Sequence, residues 1–228
     1  MKNTFQIKTQ KKSNYKLAIF DMDGTILNTI EDLADSTNYA LEAYNMPIRT
    51  LEEIRNFVGN GMKRLIELAV PCGTSNEMIE NVLNTMKSYY KVHCTDKTKA
   101  YDGIKEVLEK LRSRGIITAV VSNKADFGVQ ILCEDYFKGL FDFAVGQKEG
   151  IRRKPYPDSV MAVLDKFGVE KQNAVYIGDS EVDLKTSQNA GMDIIMVAWG
   201  FREEKFLIEC GAKFVIHKPS EILAFFSL

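Results

Sequence analysis

Two aspartates that directly follow a short apolar run are the first candidates for chemistry in this sequence. The run is Leu17–Phe20, and the residues after it read Asp-Met-Asp-Gly-Thr, from Asp21 to Thr25. Four apolar residues cut off by acidic residues and a glycine indicate a buried parallel strand that ends at the edge of a sheet. Because ligands of open α/β sheets bind at that edge, we expect Asp21 and Asp23 to lie in a binding site.

Further polar groups occupy comparable places later in the chain. Ser122 follows a second apolar run, Asp179 follows a third with Asp183 four residues on, and Lys154 lies in a Lys-Pro-Tyr-Pro loop before that third run. Carboxylates that converge without His or Cys suit a hard cation, above all Mg²⁺. A hydroxyl and an ammonium group are the donors that phosphoryl oxygens require. The set therefore indicates phosphate chemistry at a magnesium site.

Strand and helix patterns alternate from residue 102 onward, which predicts an α/β fold with a doubly wound, Rossmann-like parallel sheet and right-handed crossovers. Asp102 is a candidate N-cap of the first of these helices. We expect strands near residues 17–20, 116–121, 141–145, 174–177, 194–198 and 214–216.

Residues 28–98 show helical periodicity and no strand pattern, and they fall between the first two strands. Thr50–Glu53 and Thr74–Glu77 are capping-box patterns that predict two of the helix starts. The block is too long for a simple crossover, so we expect an inserted all-helical cap domain. The alternative is a helical layer packed directly on the sheet.

The predicted domain division follows from these patterns. Residues 15–27 and 99–228 form the α/β catalytic core, and residues 28–98 form the cap. Residues 1–14 are lysine-rich and read as a tail, in which Phe5 and Ile7 could dock as a short edge strand.

Composition excludes several classes of protein. Thirty basic and thirty-one acidic residues give a net charge of −1, so no overall field favours nucleic acid or an anionic membrane. No 18-residue apolar stretch or secretory signal is present, which favours a cytoplasmic protein. The four cysteines contain no CxxC pair and are expected as reduced thiols. The two histidines are assigned no role.

The ordered set of motifs resembles the haloacid dehalogenase superfamily. The motifs are DMDGT, Ser122 after an apolar strand, Lys-Pro-x-Pro at Lys154, and Gly178-Asp-Ser-x-x-Asp183, and the resemblance covers nearly the whole chain beyond residue 16. A helical insert directly after the first motif is similar to the subgroup of phosphoglycolate phosphatases, pyrophosphatases and β-phosphoglucomutases. Four segments look most like phosphoglycolate phosphatases: Asn28-Thr29, Val58–Gly61, Ser122–Lys124 and Trp199-Gly200.

The resemblance implies covalent catalysis by two aspartates. Asp21 would attack phosphorus to form an aspartyl-phosphate, and Asp23 would protonate the leaving alkoxide and then deprotonate the hydrolytic water. Ser122 would bind phosphoryl oxygens, and Lys154 would neutralise Asp21 and the phosphate. Arg152 and Arg153 could compete with Lys154 for that role.

A cofactor and a substrate class are also implied. Mg²⁺ would be held by the carboxylates of Asp21 and Asp179 and by the backbone carbonyl of Asp23, with Asp183 supporting the metal shell. Asp183 could instead only open the following helix.

The substrate would be a small phosphorylated metabolite. We expect Gly24, Thr25 and Asn123, which adjoin the motifs, to contact it. Lys63 and Arg64 could meet a carboxylate on the leaving group or could form a solvated helix face. Segments near Asn28–Thr29 and Thr98–Tyr101 would act as hinges.

The sequence predicts a Mg²⁺-dependent phosphatase and leaves alternatives open. A β-phosphoglucomutase-like phosphomutase or a pyrophosphatase would use the same groups. A signalling receiver also uses a phospho-accepting Asp, but without Asp-x-Asp after the first strand or an inserted cap. A non-catalytic binding protein would be expected to lack Asp21 or Asp23, and both are present. The oligomeric state stays open.

Overall fold

A parallel six-stranded sheet forms the centre of the fold in a computed structural model, which describes residues 14–226. Eight strands occur among these residues: β1 (Leu17–Phe20), β2 (Leu27–Asn28), β3 (Lys99–Ala100), β4 (Ile117–Ala125), β5 (Phe143–Gln147), β6 (Ala174–Gly178), β7 (Asp193–Val197) and β8 (Val215–Ile216). The sheet order is β5-β4-β1-β6-β7-β8, and every neighbouring pair is parallel. The predicted α/β fold is confirmed.

Helices cover both faces of the sheet and form a separate group after β2. In chain order the helices of the described residues are α1 (Ile30–Ala43), α2 (Leu51–Phe57), α3 (Gly61–Ala69), α4 (Asn76–His93), α5 (Ile104–Ser113), α6 (Asp126–Phe137), α7 (Asp158–Phe167), α8 (Glu181–Ala190) and α9 (Glu204–Glu209). Short 3₁₀ helices occupy Lys171–Asn173 and Pro219–Phe225.

Strand β1 lies at the middle of the sheet and is buried on both faces. Leu17 and Ile19 pack in the cluster that includes residues of α7, whereas Ala18 and Phe20 pack in the larger cluster on the opposite face. Alternate side chains of a strand point to opposite faces, so an uninterrupted apolar run is what a covered central strand requires.

Two predicted helix caps are wrong, although their helices form. Helix α5 is capped by Gly103, which has a φ of 90°, so the helix begins one residue after the position that an Asp102 cap would set. Helix α4 is capped by Ser75, whose side chain accepts from the Met78 N–H. The Thr74 hydroxyl donates to the Pro71 carbonyl instead, which engages it in the preceding turn. The capping box at Thr50 is confirmed.

The four helices α1–α4 join the rest of the chain through one narrow ribbon. Strands β2 and β3 pair antiparallel, with Leu27 opposite Ala100 and Asn28 opposite Lys99. The buried carboxylate of Asp32 in α1 accepts the backbone N–H groups of Lys97, at 2.9 and 3.2 Å, and of Thr98, at 2.8 Å. Both predicted hinge segments therefore lie side by side.

The structure also bears on the expectations for membrane-spanning helices and for the cysteines. Within residues 14–226, the helices are all too short or too polar to cross a bilayer. The four cysteines are free thiols. The tail and the edge strand expected at Phe5 and Ile7 concern residues outside the described range.

We expect Asp32→Asn to lower the free energy of unfolding by about 2 kcal/mol, because charge-assisted hydrogen bonds to the buried Thr98 N–H and the partly buried Lys97 N–H are lost. Urea denaturation measures the change. The matched control is Asp35→Asn, since the half-exposed Asp35 pairs with the solvent-exposed Lys97 ammonium and its loss should leave the free energy of unfolding nearly unchanged. Equal destabilisation by the two substitutions would contradict the anchoring role of Asp32.

Candidate active site

The predicted site residues converge at the carboxyl ends of three adjacent strands. Asp21 follows β1, Ser122 lies near the end of β4, and Asp179 follows β6. These strands are neighbours in the order β4-β1-β6. The meeting point is the sheet edge where open α/β sheets bind ligands.

Three carboxylates form the buried centre of this site. Oxygen atoms of Asp21, Asp179 and Asp183 lie within 4.8 Å of one another. Asp21 is 7% exposed, Asp179 is 1% exposed and Asp183 is fully buried. Carboxylates packed this closely away from water repel one another unless a cation lies between them.

Lys154 supplies the one buried ammonium group that contacts these carboxylates among the described residues. Its Nζ lies 2.9 Å from Asp21 Oδ1 and 2.7 Å from Asp183 Oδ1, and it donates to the Tyr176 hydroxyl at 3.0 Å. Burial opposes the charged ammonium, but the carboxylates of Asp183 and Asp21 outweigh that effect and hold the pKa of Lys154 well above its ordinary value. Lys154 therefore stays charged in the folded protein.

The two arginines before Lys154 point elsewhere. Arg152 forms an exposed ion pair with Asp158 through Nε and Nη2. Arg153 donates from Nη1 to the Asn60 carbonyl at 2.6 Å. Only Lys154 of the three reaches Asp21 in the structure described.

The donor set fits a divalent cation. Asp21 Oδ1 is buried and, although Lys154 Nζ lies near it, receives no aligned hydrogen bond from any described residue. Burial raises the pKa of Asp21 to about 7 and that of Asp179 to about 8. Repulsion from Asp183 adds to both shifts, and Lys154 offsets part of the shift at Asp21. A hard cation with oxygen ligands would complete this charge balance.

The residues around Asp179 fix its carboxylate from two sides. Thr25 donates from Oγ1 to Oδ1 at 3.0 Å, and the Phe201 N–H donates to Oδ2 at 2.8 Å. Gly24 has a φ of 83°, and a Cβ there would overlap the Asp179 carboxylate. Thr25 thus binds Asp179 and Gly24 leaves room for its carboxylate, and the predicted contacts of both residues with substrate stay predictions.

Asp183 combines two contacts in one side chain. Its Oδ1 accepts from Lys154, while its Oδ2 accepts from the Ser180 hydroxyl at 2.6 Å and from the Ser180 N–H at 3.1 Å. Ser180 and Asp183 form the capping box of α8. Asp183 therefore opens α8 and also contacts Lys154, and its support of a metal shell stays a prediction.

The Asp23 side chain is held by a lysine that sequence reasoning did not assign to the site. Lys124 donates from Nζ to Asp23 Oδ1 at 2.8 Å, and the Thr29 hydroxyl donates to the same oxygen at 2.6 Å. The side chain of Lys124 is 1% exposed, and its Nζ lies over the Tyr90 ring of α4, 4.7 Å from the centroid. The sequence feature that could have indicated this contact is the position of Lys124, two residues after Ser122 in a buried strand.

Asn123 connects three parts of the protein. Its Oδ1 accepts the Lys154 N–H at 2.8 Å, and its Nδ2 donates to the carbonyls of Lys154 and Gly59, each at 3.0 Å. These bonds orient the Lys154 loop. Asn123 also lines the cavity beside the carboxylates, and its contact with substrate stays a prediction.

A cavity of about 40 Å³ lies between the carboxylates and the four helices α1–α4, which we call the helical block. Its polar wall includes Asp21, Asp23, Ser122 and Asp179. Its apolar wall is contributed mainly by the helices that follow β2, through Leu33, Val58, Met62 and Leu65.

Lys63 and Arg64 do not line this cavity. They form exposed ion pairs with Glu80 and Glu67, at 2.6 and 3.1 Å. These contacts favour the solvated helix face.

Comparisons of this chain with a family model, with relatives and with solved structures agree on one family. The sequence model of the haloacid dehalogenase-like hydrolases matches residues 18–197. The phosphoglycolate phosphatase of Haemophilus influenzae strain 86-028NP is 29% identical over 220 residues, which cover 92% of this chain and 98% of the relative.

Two solved structures share the fold. A protein of Lactobacillus delbrueckii subsp. bulgaricus, whose assignment as a phosphoglycolate phosphatase is inferred, is 39% identical with a TM-score of 0.88, covering 94% of this chain and 99% of that one. A predicted phosphoglycolate phosphatase of Haemophilus somnus 129pt is 26% identical with a TM-score of 0.85, covering 93% and 98%.

We expect the free energy of unfolding of the metal-free protein to fall as the pH rises from about 4 to about 7. The reason is that burial raises the pKa of Asp21 from its ordinary 3.8 to about 7. In this window the unfolded chain releases a proton that the folded protein retains. Urea denaturation in EDTA at pH 5 and pH 8 should show a smaller fall for Asp21→Asn than for wild type, whereas Asp35→Asn should keep the wild-type difference. Identical pH dependence of Asp21→Asn and wild type would refute this assignment.

Proposed function

The chain belongs to the haloacid dehalogenase-like hydrolases, and we propose that it is a Mg²⁺-dependent phosphatase that hydrolyses a small, phosphoglycolate-like phosphomonoester through an aspartyl-phosphate. Its relatives named as phosphoglycolate phosphatases support phosphatase activity. The identity of the leaving group is the more specific part of the proposal.

The buried contact between Lys154 and Asp21 is the observation that carries the proposal. A nucleophilic carboxylate must stay ionised and must approach an anionic phosphate, and a fixed ammonium beside it favours both. Nζ lies 2.9 Å from Asp21 Oδ1, inside a site that also contains Ser122. These groups match what phosphoryl transfer requires.

The carboxylates of Asp21 and Asp179 and the backbone carbonyl of Asp23 would hold Mg²⁺. The ion would neutralise charge on the phosphoryl oxygens and on the crowded carboxylates. Asp183 would act on this set indirectly, since its contact with Lys154 keeps the ammonium beside Asp21.

The proposed reaction has two steps. A carboxylate oxygen of Asp21 forms a bond to phosphorus as the bond to the leaving oxygen breaks, and Asp23 gives that oxygen a proton. Asp23 then takes a proton from water, whose oxygen attacks phosphorus and releases phosphate and the Asp21 carboxylate. Ser122 and Lys154 bind and neutralise the phosphoryl oxygens in both steps.

Residues 28–98 are proposed to act as a cap domain on a core of residues 15–27 and 99–228. The two chain crossings between them form the β2–β3 ribbon. The apolar wall that α1, α2 and α3 contribute would exclude water from the reacting groups. The names of the relatives support a small substrate.

We expect Asp21→Asn to lower the turnover of every substrate by more than about 1,000-fold, since an amide cannot serve as the nucleophile. Phosphate release is measured on a panel of esters that includes phosphoglycolate, pyrophosphate, sugar phosphates and nucleotides. The wild type should favour small monoesters and release phosphate steadily. A requirement for a bisphosphate activator would instead favour the mutase.

The control for this substitution is Asp35→Asn, which removes an exposed carboxylate on α1 and should keep wild-type turnover. Circular dichroism should show that both variants are folded. If Asp21→Asn retains most of the activity, the covalent mechanism is wrong.

We expect EDTA to abolish phosphate release and added Mg²⁺ to restore it. Asp179→Asn should raise the Mg²⁺ concentration needed for half-maximal activity by roughly tenfold or more, because one ligand carboxylate is lost. Titration of activity with Mg²⁺ measures this, with Asp35→Asn as the control. Activity that is indifferent to chelation would exclude the metal assignment.

A further inference from the structure

The segment from the end of α2 to the start of α3, residues 55–60, is here called the turn, and it is bound to the α/β part of the protein at four backbone carbonyls. The carbonyls belong to Arg55, Val58, Gly59 and Asn60. Each accepts a hydrogen bond from a side chain outside the helical block. We call the three donor side chains, Arg202, Asn123 and Arg153, the turn clamp.

Arg202 makes two of the four bonds. Its Nη1 donates to the Arg55 carbonyl at 2.9 Å and its Nη2 donates to the Val58 carbonyl at 2.8 Å. Its Nε pairs with Glu181 Oε2 at 3.0 Å, which fixes the guanidinium on the core side. A planar guanidinium suits this arrangement because it presents several N–H groups in a fixed fork. The last carbonyls of a helix also favour a cation.

The backbone of the turn lies unusually close to the core. Gly61 has a φ of 78°, and a Cβ there would lie 3.1 Å from the Asn123 carbonyl oxygen. A side chain at this position would strain the backbone and push the turn away. The glycine therefore permits the contact that the turn clamp makes.

Each donor of the turn clamp is a chain neighbour of a group in the proposed reaction. Asn123 follows Ser122, and Arg153 precedes Lys154. Arg202 follows Phe201, whose N–H donates to the Asp179 carboxylate at 2.8 Å. The backbone that fixes each donor is thus the backbone that fixes a phosphate-binding or metal-binding group.

A substrate must displace the helical block to enter the site. The cavity of about 40 Å³ holds only a few water molecules and is smaller than a phosphate ester requires. The block is joined to the core covalently only at the β2–β3 ribbon, so it can move if the non-covalent contacts break.

We propose that the turn clamp holds the helical block closed and that its bonds to the turn fix Ser122, Lys154 and Asp179 in their reactive positions only in the closed state. This inference rests on the roles proposed above for these three residues. Arg202, Asn123 and Arg153 are then positioning residues. Closing the block over a substrate would complete the site.

The test measures block position and catalysis in the same variants. Cys72 lies in the turn between α3 and α4 and Cys210 follows α9, and both thiols are exposed. Donor and acceptor dyes on these two cysteines report the distance between block and core by energy transfer. Replacing the partly buried Cys133 with Ser in all proteins limits labelling to the pair.

We expect Arg202→Met to increase the population with low energy transfer and to lower kcat/KM by roughly tenfold, since bonds from a charged donor to two carbonyls are lost. Arg202→Lys should fall between this variant and wild type, because an ammonium keeps the charge but lacks the fork. The control is Arg152→Met, which removes an exposed arginine beside Arg153 and should leave both measurements unchanged.

Two outcomes would overturn the inference. One is an Arg202→Met protein whose energy transfer equals wild type, and the other is a shifted distribution with unchanged kcat/KM. If Arg202→Met does not fold, the Arg202→Lys variant decides, and wild-type values in both measurements refute the clamp. Failure of the proposed function can be told apart from failure of the clamp. If the proposed function is wrong, the Asp21→Asn enzyme stays active, and the energy-transfer result does not depend on that outcome.

Discussion

The balance between one buried ammonium and three buried carboxylates governs this structure. Lys154 contacts Asp21 and Asp183 directly, but Asp179 receives only neutral donors. Burial raises the pKa values of Asp21 and Asp179, and repulsion from Asp183 adds to both shifts. A cation would relieve that repulsion, so the charge imbalance that destabilises the folded chain also favours a cation at this place.

The sheet makes this concentration of charge possible. Parallel strands deliver their carboxyl ends to one edge, and the apolar runs of β1 and β6 anchor the residues that follow them. The surrounding atoms then leave little freedom to the carboxylates. Gly24 leaves room for Asp179, and the capping box of α8 orients Asp183 toward Lys154.

The sequence predicts the parts of the site that depend on local pattern. The positions of Asp21 and Asp179 follow from apolar runs that end abruptly, and Thr50 caps α2 because the capping box needs only four residues. The contacts of Lys124 and Arg202 could not be predicted in this way. Lys124 meets a residue 101 positions away and Arg202 meets residues more than 140 positions away, so their partners depend on the folded topology.

The pairing of β2 with β3 brings together the two chain crossings that are the only covalent links of the helical block to the rest of the described chain. Asn28 and Lys99 are opposite each other in an antiparallel pair, where facing α-carbons lie about 5 Å apart. Removing everything between them would leave two chain ends that a short turn could join, without altering any strand of the large sheet. Helices α1–α4 are thus topologically an exchangeable module, so the apolar wall of the cavity can be replaced without any change to the edge of the sheet that carries the carboxylates.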